Sequence, residues 1–232
     1  MDIKFFKIFE KYCLSNNYIF KSKIKNLLYS YFFTYIFIII SYIVIINPLE
    51  FIIINILGFD SVLDEIKKNS FKLCNLKIAT IIIIIPFFEE LIFRLSLKPK
   101  IQYLFISFFL IFFLIFGGKL NLDLKFFENY RWSIFLAASI TFIVVFTLKK
   151  TILNFIIQNN KLLICTSIFL FGLVHIQNIA NLNFKILLFY PFFVIPQMIM
   201  GYFITNLRIK YNFFWGYMLH VLINTTFILS IK

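Results

Sequence analysis

The chain alternates between long apolar runs and short polar segments, a pattern that is typical of helices crossing a membrane. A span needs about 20 apolar residues to cross roughly 30 Å of hydrocarbon. Seven runs approach this length, at residues 27–47, 78–97, 101–118, 132–148, 162–181, 186–207 and 213–230. We therefore predict an all-α, polytopic membrane helix bundle in which residues 27–232 form one multi-span domain.

Residues 1–26 precede the first span and follow a different pattern. Lys4, Lys7 and Lys11 recur at helical spacing opposite apolar side chains, until polar residues 15–17 interrupt the pattern. A helix with one basic and one apolar face is typical of segments that lie in the membrane interface. We therefore predict a basic amphipathic interfacial helix in this segment.

Two further features concern the N-terminal third of the chain. A cleaved signal peptide has an apolar core of about 7–15 residues followed by small residues at the cleavage site. The run at residues 27–47 is longer and lacks such a site, so we expect it to be retained as a span. Between the first two spans, the segment SVLDEIKKN at residues 61–69 is predicted to form a short interfacial helix.

The composition excludes a soluble globular domain. Hydrophobic residues make up 62% of the 232 residues, charged residues make up 14%, and the mean hydropathy is +0.93. An ordinary soluble domain has roughly 25% charged residues. The three cysteines lie far apart, which favours neither a disulfide framework nor a thiolate metal site.

The net charge of +13 points to lipid rather than to nucleic acid. Most lysines lie between apolar runs, and the aromatic residues are chiefly phenylalanines, 35 in number. We therefore expect anionic membrane lipids as partners and no nucleic acid. Lysine and arginine are more numerous in the segments that share a side with the N-terminus, which predicts an N-terminus inside the cell. We expect an integral protein of a bacterial cytoplasmic membrane.

The predicted second span contains charged residues, each of which costs about 2.5–3.5 kcal/mol in hydrocarbon. Across the seven predicted spans, the formally charged side chains are Glu89, Glu90 and Arg94. Glu90 and Arg94 are four residues apart and can form an intrahelical ion pair, which is a purely structural alternative for these two. Glu89 points about 100° away and is free to face a cavity. Pro86 lacks an N–H, so we expect a kink or local opening of the helix there.

Both histidines of the chain fall within apolar spans. His175 lies four residues after Phe171, and His220 lies four residues before Asn224, so each pair shares a helix face. At about 1.5 Å per residue, Glu89 and the two histidines each lie roughly 14–21 Å from the basic residues that flank their spans. They can therefore meet near the middle of the bilayer. The alternative for each histidine is a simple interhelical hydrogen bond.

A carboxylate, two imidazoles and a carboxamide in a water-poor cavity are suited to hydrolysis. One carboxylate–imidazole pair can activate water as a general base, and the second imidazole and the amide can donate hydrogen bonds to a developing oxyanion. The same residues could instead bind Zn²⁺ through His175, His220 and Glu89. Zinc-bound imidazoles require acceptors for their second nitrogen, and the spans offer few polar side chains, so we expect no metal cofactor.

Three motifs occur in a fixed order on separate predicted helices. They are EExxxR (Glu89, Glu90, Arg94), FxxxH (Phe171, His175) and HxxxN (His220, Asn224). This set resembles the CAAX-protease and bacteriocin-processing (CPBP) family of intramembrane endopeptidases, which is related to the type II CAAX prenyl proteases. The resemblance covers about residues 78–230. Its most specific parts are EExxxR within an apolar span and the ordered combination, which uses both histidines.

The resemblance implies a protease-like core and a role for each motif residue. The residues that activate water would be Glu89 and His175. The oxyanion site would be formed by His220 and Asn224. The supporting residues would be Glu90, Arg94 and Phe171. The family also implies a metal-free mechanism and membrane-associated polypeptides as substrates, such as a CAAX-type C-terminus, a bacteriocin leader or a self-immunity target.

One departure and two competing functions accompany this resemblance. In many relatives the FxxxH helix follows the EExxxR helix almost directly, whereas residues 101–160 intervene here as two predicted spans. Two extra crossings keep the motif helices antiparallel. A transporter or proton relay would also place Glu and His at mid-membrane, although no symmetric helix breaks in two halves support it. A non-catalytic immunity protein could keep the same residues for packing.

Overall fold

A computed structural model describes residues 20–73, 78–117, 126–179 and 181–231 of the chain, and every regular element in these residues is helical. The α-helices are α1 (Phe20–Ser41), α2 (Asn47–Phe51), α3 (Val62–Leu73), α4 (Ile85–Phe93), α5 (Ile101–Ile115), α6 (Phe126–Gln158), α7 (Asn160–Val174), α8 (Tyr190–Phe193), α9 (Ile195–Lys210) and α10 (Phe213–Ile231). The π-helical turns are Tyr42–Ile46, Ile52–Ile56 and Thr80–Ile84, and the 3₁₀ segments are Leu95–Leu97, His175–Asn178 and Phe184–Phe189. The predicted all-α class is confirmed for these residues.

Within the described ranges, four helical stretches are long and apolar enough to cross a membrane. They are Ser22–Ile56, Tyr130–Gln158, Asn160–Asn178 and Phe184–Lys210. Ile101–Ile115 and Phe213–Leu229 are shorter apolar helices. A polytopic helical membrane protein is therefore supported, whereas the predicted number of seven spans is not confirmed. The second predicted span is interrupted, because Arg94 leaves helical geometry (φ −124°, ψ −17°) and ends α4.

The first helix extends beyond its predicted bounds at both ends. Helix α1 already begins at Phe20, and its continuation passes through α2 and two π-helical turns to Ile56. The boundary predicted after residue 26 therefore falls inside a helix. Most of the predicted amphipathic helix, residues 1–19, lies outside the described residues.

The helix predicted at residues 61–69 is confirmed as α3, and two acceptors stabilise its start. The Ser61 hydroxyl oxygen accepts a hydrogen bond from the Asp64 N–H at 3.0 Å, as an N-cap does. The buried Glu50 carboxylate accepts from the Leu63 N–H at 3.2 Å and from the Ser61 hydroxyl at 2.5 Å. An anionic carboxylate at this end of a helix also complements the helix dipole.

Helix α9 occupies the centre of the packing. It contacts α1, α7 and α10, and a core cluster that includes Phe171, Ile204 and Leu219 fills the space between these helices. Helix α4 contacts α5, α7 and α10, so it carries its charged residues towards this core. A Cβ added to Gly172 on α7 would lie 2.3 Å from Met198 Cγ on α9, so the two helices meet closely at this glycine.

The outer surface is largely apolar. On α6, for example, the side chains of Phe142 and Phe146 are 60% and 68% exposed. Soluble monomers rarely expose large contiguous apolar surfaces, whereas the same surface facing lipid is favourable because hydrocarbon replaces water. The exposure pattern therefore agrees with the apolar composition of the helices.

Candidate functional site

Helix α4 begins with an opened turn that presents the residues following it. Thr80–Ile84 adopts π-helical geometry immediately before Pro86, which confirms the local opening predicted there. In a π-helical register the Pro86 nitrogen would be the partner of the Ile81 carbonyl, but proline has no N–H to donate. The Asn224 side-chain amide supplies this hydrogen bond from α10, with Nδ2 3.3 Å from the Ile81 oxygen. The Tyr217 hydroxyl, also on α10, donates to the Ile83 carbonyl of the same turn at 3.0 Å.

The structure brings Glu89 together with both histidines. Glu89 Oε2 lies 3.3 Å from His220 Nε2, and Glu89 Oε1 lies 3.9 Å from His175 Nε2. The two imidazoles therefore approach different oxygens of one carboxylate, one from the C-terminal end of α7 and one from α10. The Glu89 side chain is 22% exposed, so it remains accessible at this junction. The convergence predicted for these three residues is observed.

His175 stands at the point where α7 ends and a 3₁₀ segment begins. Its Nδ1 lies 2.7 Å from the Phe171 carbonyl oxygen. Because a carbonyl oxygen only accepts hydrogen bonds, Nδ1 carries the proton, and a neutral ring then has its lone pair on Nε2, towards Glu89. The 3.9 Å separation between Nε2 and Glu89 is too long for a direct hydrogen bond. Both atoms face the same space, which suits a water molecule that contacts both.

His220 bridges the two neighbouring glutamates. Its Nδ1 lies 3.2 Å from Glu90 Oε1, while its Nε2 faces Glu89. The ring is almost fully buried, at 1% exposure, and the edge of the Phe171 ring packs against it. A histidine held between two carboxylates cannot change orientation without breaking both contacts. Glu90, at Nδ1, and Glu89, at Nε2, therefore determine the orientation of the His220 ring.

Glu90 is the centre of a fully buried charge cluster. Its Oε1 accepts a hydrogen bond from Arg94, and its Oε2 lies 3.7 Å from Arg208 Nη1. Arg208 Nη1 also donates to the Glu90 main-chain carbonyl at 3.1 Å. Glu90 and Arg94 are 0% exposed and Arg208 is 2% exposed. The predicted Glu90–Arg94 pair is therefore present, but it belongs to a larger cluster with a second arginine and a histidine.

The Phe171 ring joins this cluster to the histidines. The Arg94 guanidinium lies 4.2 Å from the centre of the Phe171 ring, a cation–π contact, and Arg94 Nε donates to the Thr205 hydroxyl at 3.1 Å. Gly201 leaves the space for this contact, because a Cβ added there would lie 3.0 Å from the Phe171 ring and 3.2 Å from Arg94 Nη2. Phe171 thus supports Arg94 with its ring and His175 with its carbonyl.

Asn224 lies one turn after His220 on α10. Its amide makes the hydrogen bond to the Ile81 carbonyl described above, and none of the hydrogen bonds among the described residues joins it to Glu89 or to a histidine. Its position therefore supports the opened turn before α4. Its predicted role as an oxyanion donor stays a prediction.

Sequence reasoning missed two buried charged residues in the apolar helices. Arg208 was assigned to a polar segment after the sixth predicted span, where a cation in the last turn of a helix is ordinary. Glu50 was placed just beyond the first predicted span. Both lie inside continuous helical stretches in the structure. The signal that could have revealed Arg208 is the apolar sequence around it, since Ile209 follows it before the next lysine.

The donor atoms give a mixed answer about a metal. No group of three His, Cys, Asp or Glu side chains in the described part of the chain is arranged to hold a metal ion. However, both imidazoles have acceptors for Nδ1, namely Glu90 Oε1 and the Phe171 carbonyl. The expectation that such acceptors are scarce is therefore wrong, because it considered side chains alone and treated Glu90 only as the partner of Arg94. The absence of a metal cofactor stays a prediction.

An apolar cavity of about 690 Å³ lies beside this site, between α4, α5, α6 and α7. Phe93 and Val174 line it, and each is close in sequence to a site residue: Phe93 follows Glu89 by one helical turn and Val174 precedes His175. The four predicted catalytic residues themselves do not line it. Helices α5 and α6, within the intervening segment, therefore line a cavity next to the site.

Comparison of the chain with family models, with curated proteins and with solved structures finds no match.

Proposed function

We propose that this protein is an intramembrane endopeptidase that hydrolyses peptide bonds of membrane-associated polypeptides. The observation that carries the proposal is that Nε2 of His175 and Nε2 of His220 both lie within 3.9 Å of the Glu89 carboxylate, although the three residues are distant in sequence. Buried ionisable residues in apolar helices are costly and are usually retained for function. The motif resemblance to the CPBP family supports the same reaction. The proposal includes seven crossings of a bacterial cytoplasmic membrane, with the N-terminus on the inner side, facing the cytoplasm.

In the proposed reaction, a water molecule lies between Glu89 and His175 Nε2. The pair removes a proton from this water as general base, and the water oxygen forms a bond to the peptide carbonyl carbon. The tetrahedral intermediate then collapses with cleavage of the C–N bond, and the proton taken from water is delivered to the leaving amine. The products are a new carboxyl terminus and a new amino terminus.

The remaining residues hold this machinery. We assign the stabilisation of the oxyanion to His220 and Asn224 and the support of the site to Glu90, Arg94 and Phe171. His220 can donate from Nε2 only when that nitrogen carries a proton, which its contact with the Glu89 carboxylate favours. Substrates would be anchored polypeptides, for example a CAAX-type C-terminus, a bacteriocin leader or a self-immunity target.

A zinc-dependent version of the same reaction is the second candidate. It is favoured by one observation, the Nδ1 acceptors of both histidines, since zinc-bound imidazoles commonly have such partners. His175, His220 and Glu89 would then hold the ion, which would supply a bound water of lowered pKa. The metal-free version is preferred because no group of three His, Cys, Asp or Glu side chains among the described residues is arranged to hold a metal ion.

The experiment uses the purified full-length chain in lipid nanodiscs with a library of membrane-anchored peptides, and mass spectrometry detects the products. Cleavage in H₂¹⁸O should place ¹⁸O in the new carboxyl group. Glu89→Gln should reduce turnover by about 10²–10⁴-fold, because it removes the base. Glu65→Gln makes the same chemical change on α3, away from the site, and should retain activity. A wild-type chain that cleaves nothing, or a fully active Glu89→Gln variant, would refute the proposal.

A further inference from the structure

The last turn of α9 contains two cations that differ in burial, since Arg208 is buried and Lys210 is partly exposed. Arg208 is 2% exposed, whereas Lys210 lies at the end of the same helix, with its ammonium 5.3 Å from the centre of the Tyr211 ring. Long basic side chains near the ends of apolar helices ordinarily extend towards the interface, because this keeps their charge hydrated. Arg208 instead points inward, so its contacts there must offset the lost hydration.

Close packing of α9 against α10 admits the Arg208 side chain. A Cβ added to Gly216 on α10 would lie 3.0 Å from Arg208 Cβ and 3.0 Å from the Ile204 carbonyl oxygen. Any larger residue at this position would push the two helices apart. The guanidinium then lies 5.0 Å from the centre of the Phe213 ring and reaches α4.

Arg208 contacts Glu90 in two places. Its Nη1 donates to the main-chain carbonyl at 3.1 Å and lies 3.7 Å from the carboxylate Oε2. Arg94 alone already provides a cation for Glu90, through the other carboxylate oxygen. A second arginine is therefore not needed to neutralise Glu90. Arg208 instead donates a hydrogen bond to the Glu90 backbone and places a cation on the Oε2 side of the carboxylate, opposite Arg94 on the Oε1 side.

We propose that Arg208 is a positioning residue for this site. It holds the backbone and the carboxylate of Glu90 so that Glu90 Oε1 faces His220 Nδ1, and His220 Nε2 is thereby presented to Glu89. The consequence for catalysis rests on the proposed function, whereas the link from Arg208 through Glu90 to His220 does not. This link predicts a proton on His220 Nδ1, because Glu90 Oε1, the oxygen that Nδ1 faces, is a carboxylate oxygen that can only accept a hydrogen bond. Donation from Nε2 to an oxyanion then requires a second proton on the ring.

Nitrogen-15 NMR of histidine-labelled protein in nanodiscs measures this link directly. The chain has only two histidines, so a His175→Gln variant suffices to assign the ring signals. The wild-type His220 signals should show a protonated Nδ1. In Arg208→Gln and Arg208→Lys, the Nδ1 signal of His220 should shift away from that of a protonated nitrogen, because neither side chain has the planar fork of arginine and Glu90 Oε1 is then no longer held towards Nδ1. The His175 signals should stay unchanged, and Lys210→Gln is the matched control that should change neither ring.

Activity on a cleaved peptide provides the second measurement. The folded Arg208 variants should show a kcat lowered on the order of 10- to 100-fold at an unchanged KM, because misplacement affects the chemical step and not substrate binding. If Arg208→Gln does not fold, the His220 signals of Arg208→Lys test the positioning role. If neither variant folds, the wild-type spectrum tests it, through the proton predicted on Nδ1.

The results separate the two proposals. The positioning role is overturned, whatever the activity, if the His220 signals of a folded Arg208 variant match those of the wild-type chain. It is also overturned if Nδ1 of His220 carries no proton in the wild-type chain. A shifted His220 ring in a chain that cleaves no peptide supports the positioning role and refutes the proposed function alone.

Discussion

Replacing Glu90 by glutamine should destabilise the fold far more than the same change at Glu89. Glu90→Gln keeps the shape of the side chain but removes the negative charge between Arg94 and Arg208, which are 0% and 2% exposed. Removing one partner of a buried ion pair leaves an uncompensated charge and costs about 3–5 kcal/mol. Two stranded arginines place this variant towards the upper end of that range.

Glu89→Gln is the matched comparison, since it makes the same change one residue away on the same helix. The Glu89 side chain is 22% exposed, and its contacts within the cluster are to histidines rather than to arginines. A glutamine can keep hydrogen bonds to imidazoles, so we expect a loss of about 1 kcal/mol or less. The two variants should therefore differ by at least about 2 kcal/mol in free energy of unfolding.

Unfolding of the purified protein in mixed micelles can be followed by the fluorescence of Trp215, which is buried in the core. The double variant Glu90→Gln/Arg208→Gln removes one stranded charge together with the carboxylate. It should be more stable than the sum of the single losses predicts, with a coupling energy of about 0.5–3 kcal/mol. Equal destabilisation by Glu89→Gln and Glu90→Gln would show that Glu90 is not the centre of a buried charge cluster.

Three further predictions test other parts of the structure. Proteolytic activity should survive strong chelation, and elemental analysis of the purified protein should find no stoichiometric metal. If one zinc ion per chain were lost together with activity on chelation, and activity returned when zinc was added back, the zinc-dependent version would be favoured. Gly172→Ala should destabilise the fold by about 1–3 kcal/mol in the same unfolding assay, because its Cβ would lie 2.3 Å from Met198 Cγ, and adding Met198→Ala should restore part of the loss. The pKa of Glu65 is lowered, chiefly by a hydrogen bond from Lys68 and further by one from Asn181. The docking of α3 should therefore persist above pH 4.5, the ordinary pKa of a glutamate, and weaken as the pH falls below it, which hydrogen exchange in α3 would detect as a faster rate. Glu65→Gln should remove this pH dependence.

The sequence predicted the helical class and the residues that meet, because both depend on simple spacing. Apolar runs of helical length indicated membrane helices, and the i,i+4 spacing of Glu90 and Arg94 indicated their pairing. Equal depths for Glu89 and the two histidines indicated that they could converge. Each of these inferences uses one helix at a time, with a known rise per residue.

Interactions between helices were outside the reach of this reasoning. The inward direction of Arg208 depends on the close approach at Gly216, and the hydrogen bond from Asn224 to Ile81 depends on the π-helical register before Pro86. Neither can be derived from spacing along one segment. The predicted number of seven spans is not confirmed for a related reason, since hydropathy does not report where Arg94 ends α4 or that the first helix continues to Ile56.

The length of the first helical stretch relates this fold to the thickness of its membrane. Ser22–Ile56 contains 35 residues, or about 52 Å at 1.5 Å per residue, against roughly 30 Å of hydrocarbon. To lie wholly within hydrocarbon it would have to tilt by about 55°, beyond the usual range of 0–40°. Part of the helix therefore extends past the hydrocarbon, and a thicker bilayer would draw more of it inward. Because α9 packs on this helix, the stability of the bundle should change with bilayer thickness, which reconstitution in lipids of increasing acyl length would measure.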